Sequence, residues 1–85
     1  MPVALIHYSR PTDEQLVSAS TWLDAVNPAL RTIDRAVVDR IHELGLMTYV
    51  WTVNQSSDMR RGIEWGVDGI ITDHPGVLVR VLRGR

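Results

Sequence analysis

Cysteine, lysine and phenylalanine are all missing from this 85-residue chain. The lack of cysteine excludes disulfides, thiolate catalysis and cysteine-ligated zinc. The lack of lysine leaves arginine as the source of all nine basic charges, a bias that says little about function. Net charge is −1, so there is no electrostatic pull toward nucleic acid. No stretch approaches the ~20 apolar residues of a membrane span. The opening "MPVALIHYSR" is apolar, but too short and too poor in basic residues for a signal peptide. A cytoplasmic protein with no nucleic-acid partner and no membrane span is expected. What is present is ordinary for a globular domain: 45% hydrophobic and 22% charged residues. The length predicts one domain over residues 1–85, burying only about 60–65% of the surface its unfolded chain exposes.

Four strand-like runs alternate with four helix-like ones. "PVALIHY" (2–8) reads as a buried strand. A short helix from Asp13 to Ser20 follows, with Thr12 and Gln15 spaced as a capping box and Asp13 and Glu14 in the first turn. "TWLDAVNP" (21–28) predicts a second strand that Pro28 stops. In "IDRAVVDRIHELG", Ile33, Val37, Ile41 and Leu44 form one helical stripe, capped by Thr32 or Asp34 and ended by Gly45. "LMTYVWTV" (46–53) is apolar nearly throughout, as a strand covered on both faces should be. The next helix is capped by Ser56 or Ser57 and closed by Gly66. "VDGIITD" (67–73) is the fourth strand, and Pro75 suits the first turn of a last helix to Arg83.

This β-α unit, repeated four times, predicts an α/β fold with parallel strands. A complete (β/α)₈ barrel takes about 250 residues, so four units make half of one; four strands in an open sheet with helices on both faces are the other solution. "HELGLMTYVWTVN" followed by "DMRRGIEWGVDGIITDHP" resembles the C-terminal part of the glycerophosphodiester phosphodiesterase family. The matching residues are His42, Gly45, Leu46, Trp51 to Asn54, Gly66 to Asp73, and Pro75. "AVNP" at 25–28 resembles the preceding family strand. The resemblance implies half of a TIM barrel, corresponding to strands five through eight.

The resemblance also implies what is not here. The family opens with a His-Arg-Gly turn, then a Glu-x-Asp metal-binding pair and a second catalytic histidine. In this chain His7 is followed by Tyr8, and no Glu-x-Asp occurs. The family reaction is hydrolysis of a glycerophosphodiester to glycerol 3-phosphate and an alcohol, assisted by Mg²⁺ or Ca²⁺, with a histidine protonating the leaving alkoxide. By resemblance, this chain alone has no catalytic residue and no cofactor of its own. Its partner is then a complementary N-terminal half-barrel or a second copy of itself, since exposed strand edges and apolar faces recruit partners.

Substrate-binding candidates follow from the matched motif. Trp51 either lines the barrel mouth against the glycerol or alcohol group or is a large core residue. Asn54 and Asp73 fall at carboxyl-terminal ends of adjacent strands, where barrel enzymes place their sites. Asn54 would bind substrate oxygens. Asp73 would bind a hydroxyl or orient a neighbour, or else cap the last helix before Pro75. His7, Asp73 and His74 hold the residue types for an acid-base or metal cluster if the first and fourth strands approach. His42 lies away from the strand ends and reads as structural or solvated. Arg60 and Arg61 read as a solvated face. Backbone amides near Ser56 and Gly76 are weak candidates for a phosphate oxygen.

Overall fold

The computed structural model describes residues 4–7 and 9–84, the side chains among them from Ser9 onward. Capping fixes where α1 (Asp13–Ala19) begins. Gln15 N donates to Thr12 Oγ1 at 3.1 Å and Thr12 N donates to Gln15 Oε1 at 2.9 Å, closing the box on both sides. Such a cap contributes about 1 kcal/mol. Asp34 caps α2 (Arg35–Glu43), its carboxylate accepting from Val37 N at 3.2 Å. Thr32, the other candidate, donates its hydroxyl to Ala29 O inside a 3₁₀ turn, Leu30–Thr32. Gly45 just past α2 and Gly66 at the end of α3 (Ser56–Trp65) take φ of 78° and 81°, where a side chain would cost about 1 kcal/mol or more. α4 (Pro75–Arg83) starts on its proline, which lacks only a donor that the first turn leaves unused.

The strands are β1 (Ala4–His7), β2 (Ala25–Pro28), β3 (Met47–Val50) and β4 (Gly69–Ile70). They form one parallel sheet in the order β1-β2-β3-β4. Chain order and spatial order coincide. With right-handed crossovers throughout, the helices therefore stack on one face of the sheet. α2 packs on β3 and α3, and α3 on α4. The helix side is identified by Gly62 of α3, where a Cβ would touch Ile70 Cδ1 at 3.5 Å. Ile70 is in register with Val50, so Val26, Thr48 and Val50, all with no exposure, share that buried side. They meet Ile41, Val38 and Met59, which are equally buried. Truncating a buried residue of this size costs about 2–5 kcal/mol.

The other face of the sheet is different. Asn27, Tyr49 and Trp51 are half-buried and Met47 is 46% exposed. The expected covering of the third strand on both faces is thus corrected: among the described residues, one face is closed by helices and the other is open. Gly69 belongs to that open face, and Tyr49 lies over it so closely that a Cβ there would overlap the phenol ring. This is the close approach that a glycine inside a strand permits.

Three further expectations are revised. Thr21–Asp24 are not strand. They continue the turn off α1, with Leu23 N donating to Ala19 O at 2.8 Å and the Ser20 and Thr21 hydroxyls donating to Val17 O and Ser18 O. Trp22 is 66% exposed there, so the β-forming run was a helix exit. The third and fourth strands are shorter than expected, at four and two residues, with Trp51 joined to Ala29 by a single bridge beyond the end of β3. Gln55, without a side-chain bond, stands at the N-cap of α3 in place of Ser56 or Ser57. The outer residues of the first expected strand, 2, 3 and 8, lie outside the described residues.

Arg40 ties α2 to α1 through two bonds to Asp13, at 2.7 and 3.3 Å, and Arg10 meets Asp34 at 3.2 Å. The Arg40 hydrogen bond holds the Asp13 carboxyl below the usual range. For Asp34 the first cause of a lowered value is the Val37 amide, then Arg10.

Candidate functional site

The exits of β3 and β4 run side by side at the carboxyl-terminal edge. Ile71 N donates to Val50 O at 2.8 Å and Val53 N to Ile71 O at 2.9 Å, so the ladder continues past the strands and sets the two loops in register. Asn54 and Asp73 therefore meet. Asn54 Oδ1 accepts from Asp73 N at 3.0 Å and from Thr72 Oγ1 at 3.1 Å, and Asn54 Nδ2 donates to Asp73 Oδ2 at 3.3 Å. Thr72 Oγ1 in turn accepts from His74 N at 3.0 Å. The amide oxygen is fully used. One carboxylate oxygen of Asp73 has no partner among the described residues, and the group is exposed. It can accept from a ligand hydroxyl.

The helix-cap alternative for Asp73 is not what forms. His74 is the N-cap of α4, without a side-chain cap bond, and the Asp73 carboxylate is turned to Asn54. Trp51 stands one strand inward. Its indole N–H donates to Asn27 O at 2.7 Å, which clamps the half-buried ring across β2 and β3. That bond uses the one polar hydrogen of the indole.

His7 is described through its backbone alone. Its backbone pairs with Pro28 at the β1 edge, while Asp73 and His74 follow β4 at the opposite edge. Three strand spacings separate the edges, about 14 Å. The first and fourth strands are not neighbours, so the condition for a His7–Asp73–His74 cluster, that they approach, is not met by the sheet order. His42 has a definite place at the other end of the sheet. Its Nε2 lies 2.8 Å from Asp68 Oδ2, which also accepts from Thr48 N at 2.7 Å, while Asp68 N donates to Thr48 O at 2.9 Å. Arg60 and Arg61 are exposed on α3, and Arg61 lies 3.6 Å from Asp58 on the same helix. Ser56 and Gly76 sit in the first turns of α3 and α4, at the same edge as Asn54 and Asp73.

Sequence reasoning missed Thr72 and Arg31 at this edge. Thr72 is the hydroxyl link between Asn54 and His74, and Arg31 lines a hollow beside Trp51. Only the "ITD" of the matched motif pointed at Thr72. Arg31 lay in a segment read as a connection, and nothing local marked it.

The sequence model of the glycerophosphoryl diester phosphodiesterase family matches residues 3–77. The chain belongs to that family. It is 32% identical over 73 residues to the glycerophosphodiester phosphodiesterase of Bacillus subtilis (strain 168), covering 86% of this chain and 25% of that protein. A 37% match over 59 residues to the glycerophosphodiester phosphodiesterase of Caldanaerobacter subterraneus covers 69% of this chain and 24% of the relative. Among solved structures, a protein of Silicibacter pomeroyi DSS-3 described as a glycerophosphoryl diester phosphodiesterase superposes with a TM-score of 0.87 at 29% identity, over 99% of this chain and 31% of that one. A phosphodiesterase of Oleispira antarctica, solved with its product sn-glycerol-3-phosphate, has the same fold over this region, with a TM-score of 0.84 at 16% identity, over 96% of this chain and 33% of that one. The chain thus spans about a quarter of the length of these curated relatives and about a third of the solved chains.

Proposed function

We propose that the chain is half of a (β/α)₈ barrel and forms the polyol-binding wall of a glycerophosphodiester site, without hydrolysing the ester by itself. The observation that carries this reading is the carboxyl-terminal edge itself, where Trp51 at the end of β3 is clamped to Asn27 O and Asn54 is bonded to Asp73 as β3 and β4 run out. An aromatic ring and a carboxylate on one edge suit a carbon chain bearing hydroxyls. Carboxylates accept from hydroxyls in short, charge-assisted bonds.

The acid, base and cation of the family reaction belong, on this reading, to residues outside these 85. A hard cation needs several oxygen ligands. No group of three His, Cys, Asp or Glu side chains is placed to hold one among the described residues. The edge network contributes a single carboxylate, Asp73, and it is bonded to an amide. The described donors therefore do not fit a Mg²⁺ or Ca²⁺ site. What this chain supplies is orientation. Asn54 fixes the position of Asp73, and the Asn27 carbonyl fixes the ring of Trp51.

The open sheet face supports an association in the same proposal. Met47 is 46% and Ile71 48% exposed, and both sheet edges end without a neighbour among the described residues. A complementary N-terminal half-barrel or a two-fold second copy would cover that face. Four more parallel strands would close the sheet. A self-associating, non-catalytic module is the alternative, favoured by the same exposed residues.

The test is direct. The purified chain, with Mg²⁺ or Ca²⁺, should not hydrolyse glycerophosphocholine, and adding the N-terminal half of a family enzyme should restore turnover. Cation-dependent turnover by the chain alone would defeat the proposal. Light scattering should show more than a monomer at micromolar concentration for the chain alone; a stable monomer would remove the self-association.

A further inference from the structure

A hollow of about 200 Å³ opens at the carboxyl-terminal edge, walled by Leu30 and Arg31 of the 3₁₀ turn, Trp51, Thr52 and Val53 leaving β3, and Asp58 in α3. It holds one guanidinium and one carboxylate, and they are not paired to each other. Asp58 is engaged by Arg61 at 3.6 Å. Arg31 has neither a hydrogen bond nor an ion pair among the described residues, whereas Arg10 and Arg40 are both held by acids. Trp51 also lines this hollow, and its indole N–H is given to Asn27 O.

We propose that Arg31 is the phosphoryl-binding residue of this half-site, holding the anionic oxygens of a phosphate ester whose carbon skeleton lies on Trp51. The inference rests on the polyol-wall reading and adds a direction to it. The planar fork of a guanidinium matches two phosphoryl oxygens at once. The phosphoryl end of the ligand points toward the exit of β2. Its hydroxyls point toward Asn54 and Asp73 at the exits of β3 and β4. Asp58, in the same hollow, opposes the anion and limits how tightly it is held.

The test follows the Trp51 indole N–H in an isotope-labelled sample of the whole chain by NMR, with the resonance assigned from Trp51→Phe. The probes are sn-glycerol 3-phosphate, inorganic phosphate and glycerol, each titrated separately. Wild-type chain should give a saturable shift with sn-glycerol 3-phosphate. Arg31→Gln should weaken that binding by about tenfold or more, the usual consequence of losing a charge-assisted bond. It should also abolish the response to inorganic phosphate while leaving the response to glycerol. Arg31→Lys should recover part of the loss. Asp58→Asn should tighten binding of both phosphates, and Arg80→Gln, on an exposed turn of α4, should change nothing. Binding of sn-glycerol 3-phosphate by Arg31→Gln as by wild type, or no saturable response from the wild type, would overturn the assignment. An Arg31-dependent phosphate response with no response to glycerol would keep it and sink the polyol wall instead.

Discussion

The two ends of the sheet carry similar residues put to opposite uses. At the amino-terminal end, Asp68 accepts from the Thr48 amide and from His42, and its side chain is 28% exposed. At the carboxyl-terminal end, Asp73 accepts from the Asn54 amide group alone among the described residues and stands exposed. The first carboxylate does the work of a strand: it takes a main-chain donor of β3 at the point where β4 has not yet begun. The second takes a side chain, and its other oxygen has no partner among the described residues. On the proposed reading, that difference in bonding partner is what separates a structural acid from a binding one in the same motif.

The comparison breaks most visibly at Asp68. Asp68→Ala leaves the Thr48 amide without its acceptor, and stability should fall by about 2–3 kcal/mol. Urea unfolding should show the loss, and an unchanged midpoint would mean that the amino-terminal network is dispensable. A smaller effect is expected at the other end. Asn54→Ala removes three bonds from an exposed network that water can partly replace, so it should cost about 1 kcal/mol or less. Its larger consequence should be a weaker Trp51 response to glycerol. If Asn54→Ala destabilised the fold more than Asp68→Ala, the assignment of roles to the two ends would be reversed.

The smallest effect is expected where neither end is involved. Asp13 and Asp34 have carboxyls held below the ordinary value by Arg40 and by the Val37 amide, respectively. A lowered folded value adds stability that is present above the unfolded value, about 3.9, and is lost as pH falls through the folded one. The small contribution of these two exposed carboxyls should therefore fade as pH falls below about 4. Arg40→Gln should move the Asp13 titration, followed by carboxyl NMR, upward toward the ordinary value. An unmoved titration would show that the pair at the helix surface has no hold on Asp13.

The order of the elements was legible because each helix carried its own stop or start: Thr12 with Gln15, Asp34, Gly45, Gly66 and Pro75. The strands were less so. "TWLDAVNP" has strand-forming residues throughout, yet Ser20 and Thr21 can close a helix end by bonding back to carbonyls, and that local gain took Thr21 to Asp24 out of the sheet. The last strand was overestimated because its neighbours supply bonds a strand would otherwise make: Asp68 and Ile71 reach β3 from outside it. At the site, Trp51, Asn54 and Asp73 share one edge, a position that the ends of adjacent parallel strands imply. Their binding roles remain part of the proposal. Thr72 was invisible because its place depends on Asn54, 18 residues away, and Arg31 because the hollow it lines is assembled from residues leaving β3 and in α3, 20 or more positions on.

Gly69 and Tyr49 carry a consequence for how this sequence can change over time. The phenol ring occupies the space that any larger residue at 69 would need. A lineage could enlarge that position only after shrinking the aromatic across from it, so the two sites should drift as a linked pair. Their joint inheritance would then preserve the close seating of β3 on β4 even where the loops beyond them diverge.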